Sequence, residues 1–172
     1  VKWTVQLDLT TERTKLRAYI YSPVTVADLD GDGAMEVAVG TSMGFVYVLS
    51  GKDGSLRDGF PIQMNEIQAQ VVAADIDGDG SLELIAADAV GSVAAWRADG
   101  TPVWEVQTSG LCAQGVTLTR SLRPGDGSVQ IIVPTTAGVV HVLEGRTGAE
   151  VAPFPMRTKE RILSAALVVQ LQ

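Results

Sequence analysis

Hydrophobic residues along the chain fall in short runs rich in Val, Ile and Ala, cut by clusters of Gly, Asp, Ser and Thr. Runs of that length bounded by turn formers predict strands joined by tight connections, and no stretch keeps a helical spacing of apolar positions over a helix's length. The runs also recur. E-V-A-V-G-T-S-M-G-F-V-Y-V-L (36–49), E-L-I-A-A-D-A-V-G-S-V-A-A-W (83–96) and Q-I-I-V-P-T-T-A-G-V-V-H-V-L (130–143) align without a gap, with Gly44, Gly91 and Gly138 at an interval of 47 residues.

In the first unit strands are expected at Pro23–Ala27, Glu36–Thr41, Phe45–Leu49 and Phe60–Met64. Four strands in a repeat of about 40 to 50 residues is the spacing of a propeller blade, a small sheet packed face to face with its neighbours around an axis. The expected fold is all-β, a β-propeller segment of four-stranded antiparallel blades at about 22–64, 69–107 and 113–157. Partial blades are expected at both ends. Residues 1–7, with Trp3, match the outermost strand 103–107, with Trp104, and 162–172 match the innermost strand 70–75. Three blades with fragments do not close a ring of about four to eight. The opening V-K-W-T-V has neither an initiating Met nor a leader pattern, so a longer parent protein is expected.

Between the first and second strands of two blades stand D-L-D-G-D-G-A-M-E (28–36) and D-I-D-G-D-G-S-L-E (75–83). Ca²⁺ is a hard cation that takes about six to eight oxygens, and carboxylates at alternate positions of a tight loop converge on one point. The expected ligands are Asp28, Asp30, Asp32, Glu36 and the carbonyl of Ala34 in the first loop, and Asp75, Asp77, Asp79, Glu83 and the carbonyl of Ser81 in the second. Two Ca²⁺ ions are therefore expected. Position twelve, where an EF-hand carries its bidentate glutamate, holds Val39 and Ala86, so that motif is excluded. Aligned against the same loop, L-R-P-G-D-G-S-V-Q (122–130) keeps one acid, Asp126, and no metal is expected there.

Charge changes the picture little outside these loops. The net charge is −7, but the two loops hold eight of the twenty carboxylates, which leaves the remainder close to neutral. No basic stripe for a phosphate backbone is present, so nucleic acid is not an expected partner, and no apolar run is long enough for a membrane helix. The single cysteine, Cys112, excludes an internal disulfide and reads as a small buried residue.

The loop spacing D-x-D-x-D-G-x-x-E and the 47-residue period resemble the FG-GAP repeats of integrin α-subunit propellers, although the FG and GAP tripeptides are missing. K-W-T-V-Q-L-D-L, R-A-Y-I-Y-S-P-V-T-V-A-D-L-D-G-D-G, E-I-Q-A-Q-V-V-A-A-D-I and V-A-A-W-R-A-D-G are similar to the plant Defective in exine formation family, over nearly the whole chain. That resemblance implies a calcium-binding, membrane-anchored parent protein of the secretory pathway or cell surface. Its implied role is in patterned pollen-wall (exine and primexine) assembly, with a protein or cell-wall polysaccharide as partner, and it gives the eight loop acids the metal-ligand role.

An enzyme is not expected. The one histidine, His141, falls where Tyr47 and Ala94 stand in the other blades, a strand position, and no Ser-His-Asp or Cys-His set is evident along the sequence. The alternative is a carbohydrate-acting or quinone-dependent propeller, since V-Y-V-L-S-G-K-D-G-S and V-H-V-L-E-G-R-T-G-A resemble quinoprotein blade endings. Trp3, Trp96 and Trp104 are expected to pack between blades rather than to stack on sugars.

Overall fold

The computed structural model describes residues 2–7, 18–120 and 127–169. The first sheet contains β1 (Thr25–Ala27), β2 (Glu36–Gly40), β3 (Phe45–Ser50) and β4 (Ile62–Gln63). The second contains β5 (Val72–Ala74), β6 (Glu83–Ala87), β7 (Ser92–Trp96) and β8 (Pro102–Gln107), and the third β9 (Thr117–Arg120), β10 (Val129–Pro134), β11 (Val139–Glu144) and β12 (Met156–Arg157). Each is an antiparallel meander in sequence order. The pairing recurs from blade to blade: Ala38 faces Thr25 and Val48, Ile85 faces Val72 and Ala95, and Ile132 faces Thr117 and Val142.

The middle two strands of each sheet join through the turn that carries the repeated glycine. Gly44, Gly91 and Gly138 have φ of 84°, 95° and 76°. A Cβ there would also lie 2.6 Å from the Met64 carbonyl oxygen, 2.3 Å from that of Gly110 and 2.5 Å from that of Glu160. Conformation and close backbone approach each demand glycine at this point, which is why it marks the period so cleanly.

Strand residues point alternately to the two faces of a sheet, and in the second sheet both faces are core. Leu84, Ala86, Ala94 and Trp96 pack toward the first blade with Ala38, Val46, Val48, Phe60 and Ile67. Ile85, Ala87, Val93 and Ala95 pack toward the third with Cys112, Ile131, Val133 and Leu143. The blades also meet at their inner strands, where Gln70 Nε2 donates to Thr25 Oγ1 at 3.0 Å.

At the outer rim two tryptophans act as inter-blade wedges. The Trp104 indole N–H donates to the Gly145 carbonyl of the next blade at 2.7 Å, and that of Trp3 donates to the Gly51 carbonyl at 3.0 Å. Each ring lies over a glycine: a Cβ on Gly148 would stand 2.8 Å from Trp104, and one on Gly54 2.6 Å from Trp3. Between the first and second blades the same place is filled by backbone, with Gly59 against Asp99 and Gly100, and Phe60 is buried beneath.

Three sequence expectations need correction. Residues 2–7 and 162–169 form no strand, because a strand exists through its ladder and neither segment has a strand to pair with among the described residues. Trp3 nonetheless docks as Trp104 does. In the third blade Gln130 pairs with Thr119 and Val129 with Arg120, so Arg120 stands where Asp28 and Asp75 stand and the loop runs two residues longer than the gapless alignment from residue 122 assumed. Asp126 itself lies outside the described residues. The outermost strand of the first blade, β4, is also shorter than the expected Phe60–Met64, two residues, since it pairs only near the Gly44 end of its neighbour.

Replacing Trp104 by Ala should lower stability by roughly 2–4 kcal/mol, somewhat less than the truncation of a fully buried ring because Trp104 is half-buried. Trp104→Phe should recover most of that, leaving a deficit of about 1 kcal/mol for the lost hydrogen bond. Denaturant melts of the two variants check both values.

Candidate metal centres

Both acidic loops are folded around their first aspartate. Asp28 Oδ1 accepts the N–H of Gly31 at 2.8 Å and of Asp32 at 3.1 Å, and its Oδ2 that of Gly33 at 2.9 Å. Asp75 Oδ1 accepts from Gly78 at 2.7 Å and Oδ2 from Gly80 at 3.0 Å. Gly31, Gly33, Gly78 and Gly80 have φ between 76° and 93° with nothing within 4 Å of where a Cβ would be. They are required by backbone conformation alone, and the turn they allow brings alternate carboxylates to the same side.

The last acid of each loop opens the second strand and is buried. Glu36 Oε2 accepts the Leu29 N–H at 2.9 Å and Glu83 Oε2 that of Ile76 at 3.0 Å, closing each loop at its base. Glu36 is 3% exposed and Glu83 1%.

From here the loops differ. In the first, carboxylate oxygens of Asp28, Asp30 and Asp32 lie within 4.8 Å of one another, and in the second those of Asp75, Asp77 and Glu83 do. Asp79 stands apart from its cluster, with Oδ1 accepting from the Ser81 N–H at 2.7 Å. That bond holds its carboxyl below the usual carboxylate range. Glu36 lies outside the first cluster and is paired with Arg57. The Arg57 guanidinium pairs with Glu36 Oε1 at 2.9 Å and with Asp30 Oδ2 at 2.6 Å, and this hydrogen bond holds the Asp30 carboxyl below its ordinary value. Ala34 and Ser81, the expected carbonyl ligands, occupy the same turns, their N–H groups donating to Asp32 and Asp79.

Among the described residues Glu83 has no such partner. Burial, together with repulsion from Asp77, Asp79 and Asp75, pushes its pKa up, against the Ile76 N–H, which lowers it. Asp88 is buried to the same extent in the same blade, yet it accepts from the N–H and the side-chain amide of Asn65 and from the N–H of Val90 and of Ser92. A buried carboxylate needs such donors or a cation. With one donor among the described residues and a cluster of like charges, Glu83 fits a metal ligand, and an all-oxygen set fits Ca²⁺. A crevice of about 590 Å³ beside this loop is lined by Asp75, Asp77, Arg120, Glu144 and Arg146, and Arg146 donates to the Asp77 carbonyl.

The structure also assembles a set that the sequence hides. His141 Nε2 lies 2.9 Å from Ser109 Oγ and Nδ1 lies 2.8 Å from Glu150 Oε2, the connectivity of a nucleophile, base and orienting carboxylate. The Ser109 backbone N–H, however, also donates to Nε2 at 3.2 Å. An acyl-transfer site aims backbone N–H groups at the developing oxyanion, and here the serine's own is committed to the imidazole. The arrangement ties the link after β8 to β11 and to the strand-connecting segment at Glu150, as a strut between the second and third blades.

Residues 28–86, about a third of the chain, match the FG-GAP-like repeat, a span that contains both acidic loops. A comparison with the curated proteins finds no match. Among solved structures the chain is similar to BBS1N in complex with ARL6DN (17% identity, TM-score 0.61), over 94% of this chain and 45% of that one. It is similar to the Vibrio cholerae biofilm matrix protein Bap1 (21%, 0.60), over 89% and 28%, and to BamB from Moraxella catarrhalis (19%, 0.54), over 80% and 37%. The chain is a run of β-propeller blades. It spans less than half the length of each of these structures, and at such identities the likeness is one of fold.

Glu83→Gln should raise the stability of the protein in chelator and abolish calcium's effect at the second loop. The raised pKa means the folded state holds a proton at Glu83 more tightly than the unfolded chain does, so its contribution is full below the ordinary 4.5 and is lost as pH rises through the raised value. Metal-free melts from pH 4 to 8 should therefore show a fall in wild type that is smaller in the variant.

Proposed function

We propose that the chain is a calcium-stiffened propeller segment that presents an interaction surface and performs no chemistry of its own. The observation that carries the calcium reading is Glu83, buried, with a single N–H donor among the described residues, and clustered with Asp75 and Asp77. Each loop joins the first two strands of one blade, so an ion there fixes the connection and relieves the repulsion among its acids. Affinity of the order of extracellular modules, about 10⁻⁴ to 10⁻³ M, suits such a structural ion.

The scaffold reading is supported by the fold and by relatives described as a partner-bound protein and as a biofilm matrix protein. FG-GAP repeats are typical of extracellular domains, which favours a secretory or cell-surface location, and the resemblance to the Defective in exine formation family favours wall assembly with a protein or polysaccharide partner. Among the described residues no helix is long and apolar enough to cross a membrane.

Calorimetric titration should give two Ca²⁺ per chain, and Asp77→Ala should remove one and leave the other. Binding to the folded state alone raises stability by about 2.7 kcal/mol at a hundredfold excess over the dissociation constant, so chelator should lower the melting temperature with little change in the room-temperature circular dichroism. Equal melting temperatures would remove the structural role.

A serine-directed fluorophosphonate should leave Ser109 unmodified. Its labelling, lost in His141→Ala, would replace the scaffold by a hydrolase.

A further inference from the structure

The two loops share their acids and glycines position for position, yet among the described residues only the first has a cationic side chain paired with its carboxylates. Arg57 follows β3, and its N–H donates to the Val48 carbonyl at 2.9 Å. The residues that take this place opposite the third strand of the other blades are Trp104, opposite Ala95, and Val151, whose N–H bonds the Val142 carbonyl. The arginine is thus peculiar to the first blade.

Its guanidinium bridges Asp30 Oδ2 and Glu36 Oε1, two of the oxygens that the loop would offer an ion. One of them, on Glu36, is buried, and its equivalent on Glu83 has no cationic side chain paired to it among the described residues. Arg146, near the second loop, donates to the Asp77 carbonyl and leaves the carboxylates of that cluster to one another.

Resting on the calcium reading above, we propose that Arg57 is a built-in counter-cation of the first loop, which holds Asp30 and Glu36 when the ion is absent and must be displaced before Ca²⁺ can take them. The second loop fills first. The first is competent only in the fraction of molecules whose guanidinium has swung out, and the apparent dissociation constant rises by the inverse of that fraction. Charge-assisted pairs of this geometry are the stronger kind, with one partner buried and the other near the surface. The expected separation is on the order of tenfold or more. The same pairing lets the first loop stay folded without metal, where the second relies on the ion.

The test compares wild type, Arg57→Gln, Asp77→Ala and the double variant by calcium titration and by melting in chelator. Asp77→Ala isolates the first loop. Adding Arg57→Gln should tighten that remaining site by about tenfold, while Arg57→Gln alone leaves the second site unchanged. In chelator Arg57→Gln should melt below wild type, and in saturating calcium the two should coincide. An unchanged or weaker first site in the double variant would overturn the proposal and leave the two-ion reading standing, as would identical melting in chelator. Absence of calcium binding in all four proteins overturns both.

Discussion

Leu84 and Ile85 are neighbours in sequence, point to opposite faces of one sheet, and are both wholly buried. A strand of this kind has no solvent side, so the middle sheet exists only while sheets stand on both of its faces. Every other feature follows from that dependence. Small residues at Ala86, Ala87, Ala94 and Ala95 let the neighbouring sheets approach, and the Val and Ile side chains of the flanking blades fill the space. The outer blades have a second face too: Val39, Leu49, Ile132 and Val142 are buried on the sides turned away from the middle sheet. Trp3 lies against one of these outer blades in the way Trp104 lies against the third, so the packing rule that joins blades two and three operates again before blade one.

Because blades are held by their faces, the connections at the ends of the strands are free to carry charge. The acidic loops exploit this, and Glu36 and Glu83 show where the two demands collide. Each begins a core strand with a carboxylate and returns an oxygen to the first turn of its loop, so the loop's shape and the strand's register are fixed by one residue. A carboxylate buried for that purpose needs something positive opposite it. Blade one supplies an arginine, blade two a cluster that suits an ion, and blade three has Gln130 at the corresponding strand position and Arg120 where the first aspartate stood. Three copies of one connection thus meet the same electrostatic problem differently, and the third removes the problem by removing the acid.

The strands of the three blades and their order were legible because short apolar runs bounded by turn formers and the 47-residue glycine interval are local signals that packing reinforces rather than overrides. The loop acids were legible for the same reason, lying within nine consecutive residues. Arg57 was not, since it reaches Glu36 only through the pairing of β2 with β3 and the bend that follows. Ser109, His141 and Glu150 come from three separate stretches and meet only once two blades are stacked. The third loop misled because its Gly-Asp-Gly imitates the acidic pattern, whereas ladder pairing, which sequence does not display, places Arg120 at its start.

The strut and the arginine share a further property. Both spend polar groups on holding one segment against another. Apolar faces hold blades together but fix their relative slide weakly, since hydrophobic burial is non-directional. Hydrogen bonds of defined geometry supply the missing direction. The indole bonds of Trp3 and Trp104 serve the outer rim, the Gln70–Thr25 bond the inner, and the Ser109–His141–Glu150 set the seam between blades two and three. A propeller segment built in this way can vary most loop side chains without moving its blades, because these aligning bonds lie outside the acidic loops, and the further one that enters a loop, Arg146 on the Asp77 carbonyl, uses its backbone.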